Sequence, residues 1–255
     1  MKKEYFITFV LPVVFPLIIV FFWEYAGKNG LVSQVIAPSP SRIYDSFSKT
    51  IASGVFFRNL NISLIRVASG YALGTSLGIV CGIIVGLFLV VERSTFLIVS
   101  ILRPIPMVAL VPLFILFFGI GEMSKLAIIA LGSFWPAFLN TQHGIKNVDP
   151  KLLNVAYVLR KSRWETLVKV IFPSSLPSIF VGARLGASIA WMCVVTAEMI
   201  AASSGLGYMV MFARETSQTA LMYLGVLVIG LFGLFLDLGL TNLQKVFLRW
   251  NSTAS

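Results

Sequence analysis

Six long apolar runs decide what this chain can become. They fall at roughly residues 5–23, 67–91, 96–118, 124–141, 178–201 and 221–241. A run of about 18 or more apolar residues is long enough for a helix to cross a bilayer. Inside lipid, only a helix or a closed barrel satisfies its own backbone. The sequence therefore predicts an all-α integral membrane protein with about six transmembrane helices. Charge agrees: only 12% of the 255 residues are Asp, Glu, Lys or Arg, too few to clothe a soluble domain.

The first run follows Met1-Lys2-Lys3 and looks at first like a secretory leader. It is too long for one, and no small-x-small cleavage site follows it. It reads as a retained span with its lysines in the cytoplasm. The net charge of +10 then follows topology. The loop between the fourth and fifth spans carries His143, Lys146, Lys151, Arg160, Lys161, Arg163 and Lys169 against Asp149 and Glu165. Lys245 and Arg249 follow the last span. Basic residues mark cytoplasmic segments, so both termini are expected inside. The segment after the first span is less obedient, with Lys28, Arg42, Lys49 and Arg58 outside against Glu24 and Asp45. Its Ala37–Ser41 stretch reads as a loop, and Arg42 to Phe57 as an interfacial amphipathic helix.

Several classes are excluded by what is missing. No zinc-ligand pattern, aromatic-basic nucleic-acid motif or phosphate-cradling glycine loop occurs, so neither a metal nor a nucleic-acid partner is expected. Cys81 and Cys193 lie in apolar runs and read as small buried side chains. The lone His143 has no H-E-x-x-H companion, and an enzyme is not expected.

The second span holds Gly70, Gly74, Gly78, Gly82 and Gly86. Four residues turn a helix by about 400°, so these glycines form a slowly spiralling bare strip. Such a strip admits a second helix backbone at close range. Gly182, Gly186 and Ala190 repeat the device more weakly. Prolines punctuate the middle of the chain: Pro104 and Pro106 open the third span, Pro112 interrupts it, and Pro136 is expected to break the fourth. Backbone groups freed in lipid must face protein or a watery path, which predicts that these segments line the bundle interior.

Between the fourth and fifth spans the pattern changes. Asp149 is a suitable N-cap and Pro150 suits the first helical position. Leu152, Val155, Ala156 and Leu159 follow at helical spacing. Ser162-Arg163-Trp164-Glu165 is a capping box that starts a second helix at Arg163, expected to end near Pro173. The pair is too polar to span and too apolar to be a free loop. Its apolar stripe needs a groove, either in this chain or in a cytoplasmic partner, and spacing alone leaves the two open.

This stretch resembles the cytoplasmic loop of the permease subunits of binding-protein-dependent ABC importers. That family's pattern is E-A-A, three residues, G, nine residues, I-x-L-P. Ala156 matches the second alanine, Val170 the isoleucine, Phe172 the leucine and Pro173 the proline. Asn154, Val155 and Arg160 depart from the glutamate, first alanine and glycine. With Arg160 at the glycine position, the turn is expected to shift toward Lys161-Ser162. Further segments, Leu102–Leu126, Trp135–Asp149 and Ala197–Val210, resemble the aliphatic sulfonate, taurine and nitrate branch. The similarity runs from about Pro38 to Arg249-Trp250-Asn251.

The resemblance implies a type I importer permease fold with a cytoplasmic coupling helix pair. It implies an N-terminal helix and amphipathic segment over 1–60, then a permease core over 61–251 with its coupling loop at 148–173. It implies two ATPase subunits, a second permease copy, an extracytoplasmic solute-binding protein and surrounding lipid in a bacterial inner membrane. This chain then needs no cofactor; ATP and Mg belong to the partner ATPase. The residues assigned to ATPase docking are Asn154, Ala156, Leu159, Arg160, Arg163 and Trp164. Ser204, Gly205 and Tyr208 are assigned to the binding-protein contact. Glu198, the acid inside the fifth run, is expected to face the interior as a gate or ion pair. Arg103 and Arg184 either snorkel to the interface or line an anion path, with Asn140, Thr196, Trp135 and Trp191 as further lining. An ion-coupled secondary transporter is the competing class, and would show acids in several spans or inverted repeats.

Overall fold

The computed structural model describes residues 11–247. The start of the first expected span and the Arg249-Trp250-Asn251 stretch lie outside the described residues. The order is α1 (Leu11–Lys28), α2 (Pro40–Ala52), α3 (Val55–Leu87), α4 (Leu89–Leu102), α5 (Met107–Phe118), α6 (Glu122–Lys146), α7 (Pro150–Val158), α8 (Arg163–Thr166), a π-helical turn (Leu167–Ile171), α9 (Phe172–Ala201), α10 (Leu206–Glu215) and α11 (Thr219–Phe247). Among the described residues there is no strand.

By length and composition, three helical stretches suffice to cross a membrane: α3, the continuous Arg163–Ala201 stretch and α11. The third expected span is a bent pair, α4 and α5, which meet at 100°. The bend falls at Arg103–Pro106, where two prolines remove amide donors. The fourth expected run is α6, which is more polar than the others. It buries Ser124, Lys125, Ser133 and Thr141, because protein rather than lipid covers it.

Helix α6 is the centre of the bundle, held between α3 and α9. The glycine strip explains the approach on one side. A Cβ on Gly78 would stand 2.6 Å from the Phe134 carbonyl oxygen, and one on Gly82 would stand 2.7 Å from that of Phe138. On the other side, a Cβ on Gly182 would lie 2.8 Å from the Pro136 carbonyl oxygen. These distances leave no room for any side chain. Two backbones therefore pack against α6 with van der Waals contact as the main gain, the mode open to helices in lipid.

Three expectations change. Pro136 does not break the fourth span; it is buried inside the continuous α6. Packing of α3 and α9 around it holds the helix together, and the Asn140 side-chain amide donates to the Pro136 carbonyl at 2.9 Å. Pro104, Pro106 and Pro112 are exposed in this chain rather than interior. The amphipathic helix stops at Ala52, short of Phe57, because Gly54 takes a left-handed conformation with φ 71°. The chain turns there and α3 begins.

Candidate functional site

The loop after α6 is built largely from its caps. Asp149 Oδ1 accepts from the Lys151 amide at 2.8 Å, with Pro150 at the first position of α7. Ser162 Oγ accepts from the Glu165 amide at 3.1 Å, and the Glu165 carboxylate accepts from the Ser162 amide at 3.2 Å, closing the capping box. The turn between the helices has not moved. Arg160 itself is left-handed, φ 51°. The Lys161 amide donates to Ala156 O at 3.1 Å and the Arg160 amide to Tyr157 O at 2.9 Å. This is a Schellman C-cap with arginine where glycine is usual, so the matched glycine position keeps its geometry. The expected end near Pro173 is also corrected. A π-helical turn carries α8 directly into α9, and its wider winding accommodates the missing donor of Pro173.

Exposure sorts the residues of this loop. Ala156 is 3% exposed and packs within the chain. Asn154, Leu159, Arg160, Arg163 and Trp164 are on the surface. Val155, Tyr157 and Val158 join Leu159 and Trp164 as uncovered apolar groups, Tyr157 at 84% exposure. The apolar stripe has not been filled by this chain.

The residues expected along a path are not gathered in one place. Arg184 pairs with Asp237 at 3.4 Å, tying α9 to α11. Trp191 is buried, donates to Ile229 O at 3.0 Å and stacks on Phe232, a second tie to α11. Thr196 turns back onto Met192 O of its own helix. Trp135 packs edge-on against Phe134 and Phe138, and its buried indole N–H finds no partner among the described residues. Arg103 lies exposed at the α4–α5 bend.

Glu198 stands in a different setting. It is 1% exposed. Arg66 Nη1 donates to it at 2.9 Å, Ser63 Oγ at 2.8 Å and the Gly207 amide at 3.0 Å. The same guanidinium makes a two-pronged pair with Glu122, Nε to Oε2 at 2.7 Å and Nη2 to Oε1 at 2.6 Å. Lys125 reaches Glu122 at 2.9 Å. Arg66 Nη1 also donates to Ser204 O at 2.7 Å. Asn59 accepts from the Gly205 amide at 2.8 Å and Ser63 Oγ from the Leu206 amide at 2.9 Å. An arginine buried with a carboxylate is tolerated only with this density of partners. The Arg66 guanidinium beside Glu122, the first residue of α6, holds that carboxyl down to about 2, against the opposing effect of partial burial. Gly205 is buried, with φ 112° and ψ 171°. A side chain there would overlap the Glu198 carboxylate.

The sequence reading identified Glu198, Ser204 and Gly205 but not Asn59, Ser63, Arg66, Glu122 or Lys125. A signal existed. Asn59, Ser63 and Arg66 are spaced i, i+4, i+7, on one face of α3.

Three long packed helices, α3, α6 and α9, with a short capped helix pair between α6 and α9 make up this fold. A solved amino acid ABC transporter shares it with a TM-score of 0.62, covering 80% of this chain and 98% of that one at 15% identity. The chain belongs to the family described as binding-protein-dependent transport system inner membrane components, whose model matches residues 74–251. It is 40% identical to a Bacillus subtilis protein described as the aliphatic sulfonates transport permease SsuC, over 93% of this chain and 86% of that one. It is 34% identical to the Escherichia coli taurine transport system permease protein TauC, over 90% and 85%. It is thus the permease subunit of an ABC importer, an inner-membrane transport component and not an enzyme, and ATP is used by partner ATPase chains.

Proposed function

We propose that this permease moves a small solute carrying an anionic group, an aliphatic sulfonate or taurine, into the cytoplasm by alternating access, with nitrate as the other cargo of the branch. The identity to sulfonate and taurine permeases along nearly the whole chain carries this reading. The mechanism works through α7 and α8. Closure of two ATPase subunits pushes on the uncovered Val155, Val158, Leu159 and Trp164, with Asn154, Arg160 and Arg163 at the rim. The Schellman turn and capping box keep the pair stiff enough to transmit that push. Its continuity with α9 through the π turn gives the push a direct route into the bundle. Ala156 serves from inside, as the small residue that lets α7 lie against the chain.

A second copy of the permease completes the pathway. Apolar α5 leaves Pro112, Leu113, Leu116 and Phe117 uncovered. A proline-freed carbonyl in lipid needs a protein or water neighbour, which favours this face for the partner copy. Both termini lie in the cytoplasm, as the basic loop after α6 supports. Residues 1–60 flank a core at 61–251, and an extracytoplasmic solute-binding protein docks at the Ser204–Tyr208 end. Arg103, Arg184, Asn140, Thr196, Trp135 and Trp191 adjust or border the path, and Glu198 belongs to its outer gate.

Growth of a deletion strain on taurine or an alkanesulfonate as sole sulfur source, with sulfate as control, tests the cargo. Loss of growth on the sulfonate, restored by this chain and not by Leu159→Asp, is expected. Undiminished growth of the deletion strain, in a host with no second sulfonate system, would remove sulfonates as cargo.

A further inference from the structure

The buried polar cluster at the N-terminal ends of α3 and α6 does more than neutralise charge. Three successive amides, of Gly205, Leu206 and Gly207, each donate to a different side chain: Asn59, Ser63 and Glu198. Arg66 takes both the carbonyl and the hydroxyl of Ser204, at 2.7 and 3.2 Å. The polar groups of this loop are therefore held from α3 and α9, across sequence separations of more than 130 residues on the α3 side. Gly205 sits in a backbone region open only to glycine. Beside these anchored groups, Ser203 is exposed at the tip.

This is more constraint than a connecting loop requires. A four-residue link between α9 and α10 turns easily with ordinary backbone angles and water-satisfied amides. Here the Gly205 amide and the two amides that open α10 are satisfied by protein, both polar groups of Ser204 are taken by Arg66, and Ser203 is exposed. A preformed contact loses less ordering entropy when a partner binds.

We propose that Asn59, Ser63, Arg66 and Glu198 are positioning residues that hold the Ala202–Gly205 loop as a preformed contact for the extracytoplasmic solute-binding protein. The proposal rests on the importer reading above. Under it, Glu198 acts through the loop and does not meet the solute. The exposed Glu122 steers the guanidinium from the opposite side, so that Arg66 presents one edge to α6 and the other to the loop.

Two single changes leave the Arg66–Glu198 pair in place: Asn59→Ala removes the Gly205 anchor alone, and Ser63→Ala removes the Leu206 anchor together with a hydroxyl donor to Glu198. The complete importer is reconstituted in liposomes, with Cys81 and Cys193 replaced by alanine and a nitroxide placed through Ser203→Cys. The label reports loop mobility. In parallel, ATPase rate is measured against the concentration of the importer's own loaded solute-binding protein, on assemblies without the label. Expected are a more mobile label in both variants and a roughly tenfold higher half-saturating concentration. The maximal rate stays at the wild-type value, and Ser63→Thr restores both readouts. A mobile loop with unchanged half-saturation would overturn the docking role, and an immobile loop in both variants would overturn the positioning role. If binding protein fails to stimulate even the wild-type importer, the importer reading falls and takes this proposal with it.

Discussion

The two ends of α6 are built on opposite principles. At its start, Arg66, Glu122, Lys125 and Glu198 answer one another within a single chain. At its far end, about 37 Å away for 25 residues at 1.5 Å each, α7 leaves most of its apolar side chains in the open. One end is finished by long-range pairing and the other by local caps that stiffen a surface for something else. A bundle with this asymmetry has a rigid wall, α3 with α6 and α9, and a lever fixed to one end of it.

Changes can be ranked by how hard they strike the wall or the lever. Gly78→Leu should have the largest effect, because even a methyl group there would meet the Phe134 carbonyl oxygen at 2.6 Å. No folded permease should be recovered from membranes, as read by size-exclusion chromatography in detergent; a monodisperse peak at wild-type yield would show that the α3–α6 contact is not needed.

Arg66→Met comes next. It strands a carboxylate whose side chain is fully buried, at a cost of about 3–5 kcal/mol. A large drop in thermal midpoint is expected, with most of it recovered in the double variant Arg66→Met, Glu198→Leu. Additive losses would mean that the two residues do not act as a pair.

Leu159→Asp should leave the wall and its thermal midpoint unchanged but lower co-purification of the ATPase subunit at least tenfold. Ala156→Asp is the contrasting case: Ala156 is inside, so its replacement should damage the chain itself as well. Equal thermal midpoints for the two variants would erase the distinction between lever surface and lever support.

Acid acts on both ends, since Lys161, the Ser162 amide and Lys169 hold the capping-box Glu165 down to about 2 as well, and the braced end is read out through Glu122. The carboxyl of Glu122 is held at about 2 in the folded chain, below its ordinary 4.5. A depressed carboxyl contributes stability that is present above the unfolded value and is lost as pH falls through the folded one. The braced end should therefore keep its stability from neutral pH to about 4.5 and lose it progressively toward 2, and Glu122→Gln should flatten that stretch of the pH–stability curve. An unchanged slope in Glu122→Gln would assign the acid loss elsewhere. The smallest effect is expected from Arg160→Gly, which relieves a left-handed arginine worth about 1 kcal/mol. Slower amide exchange in α7 is the expected sign, and faster exchange would mean that the arginine side chain stabilises the turn.

What the sequence disclosed follows the same division. Local signals were readable because their partners are two to four residues away: Asp149 with Lys151, Ser162 with Glu165, and the glycines at every fourth position. The positive φ of Arg160 was not, since the glycine-to-arginine change suggested a displaced turn when the surrounding hydrogen bonds preserve the old one. Pro173 suggested a stop, yet a π turn spreads its cost over five residues. Pro136 suggested a break, and its neighbours on two helices keep the helix continuous through it. The Arg66 cluster joins residues 56 and 132 positions apart. One-dimensional spacing shows which face of α3 is polar but not which acids meet it.

Hydrogen exchange of the permease alone and bound to its ATPase subunit tests this asymmetry most directly. The account predicts strong new protection across residues 149–166 on binding, with amides of Gly205, Leu206 and Gly207 already slow and unchanged. Protection that leaves 149–166 untouched and appears elsewhere would contradict it.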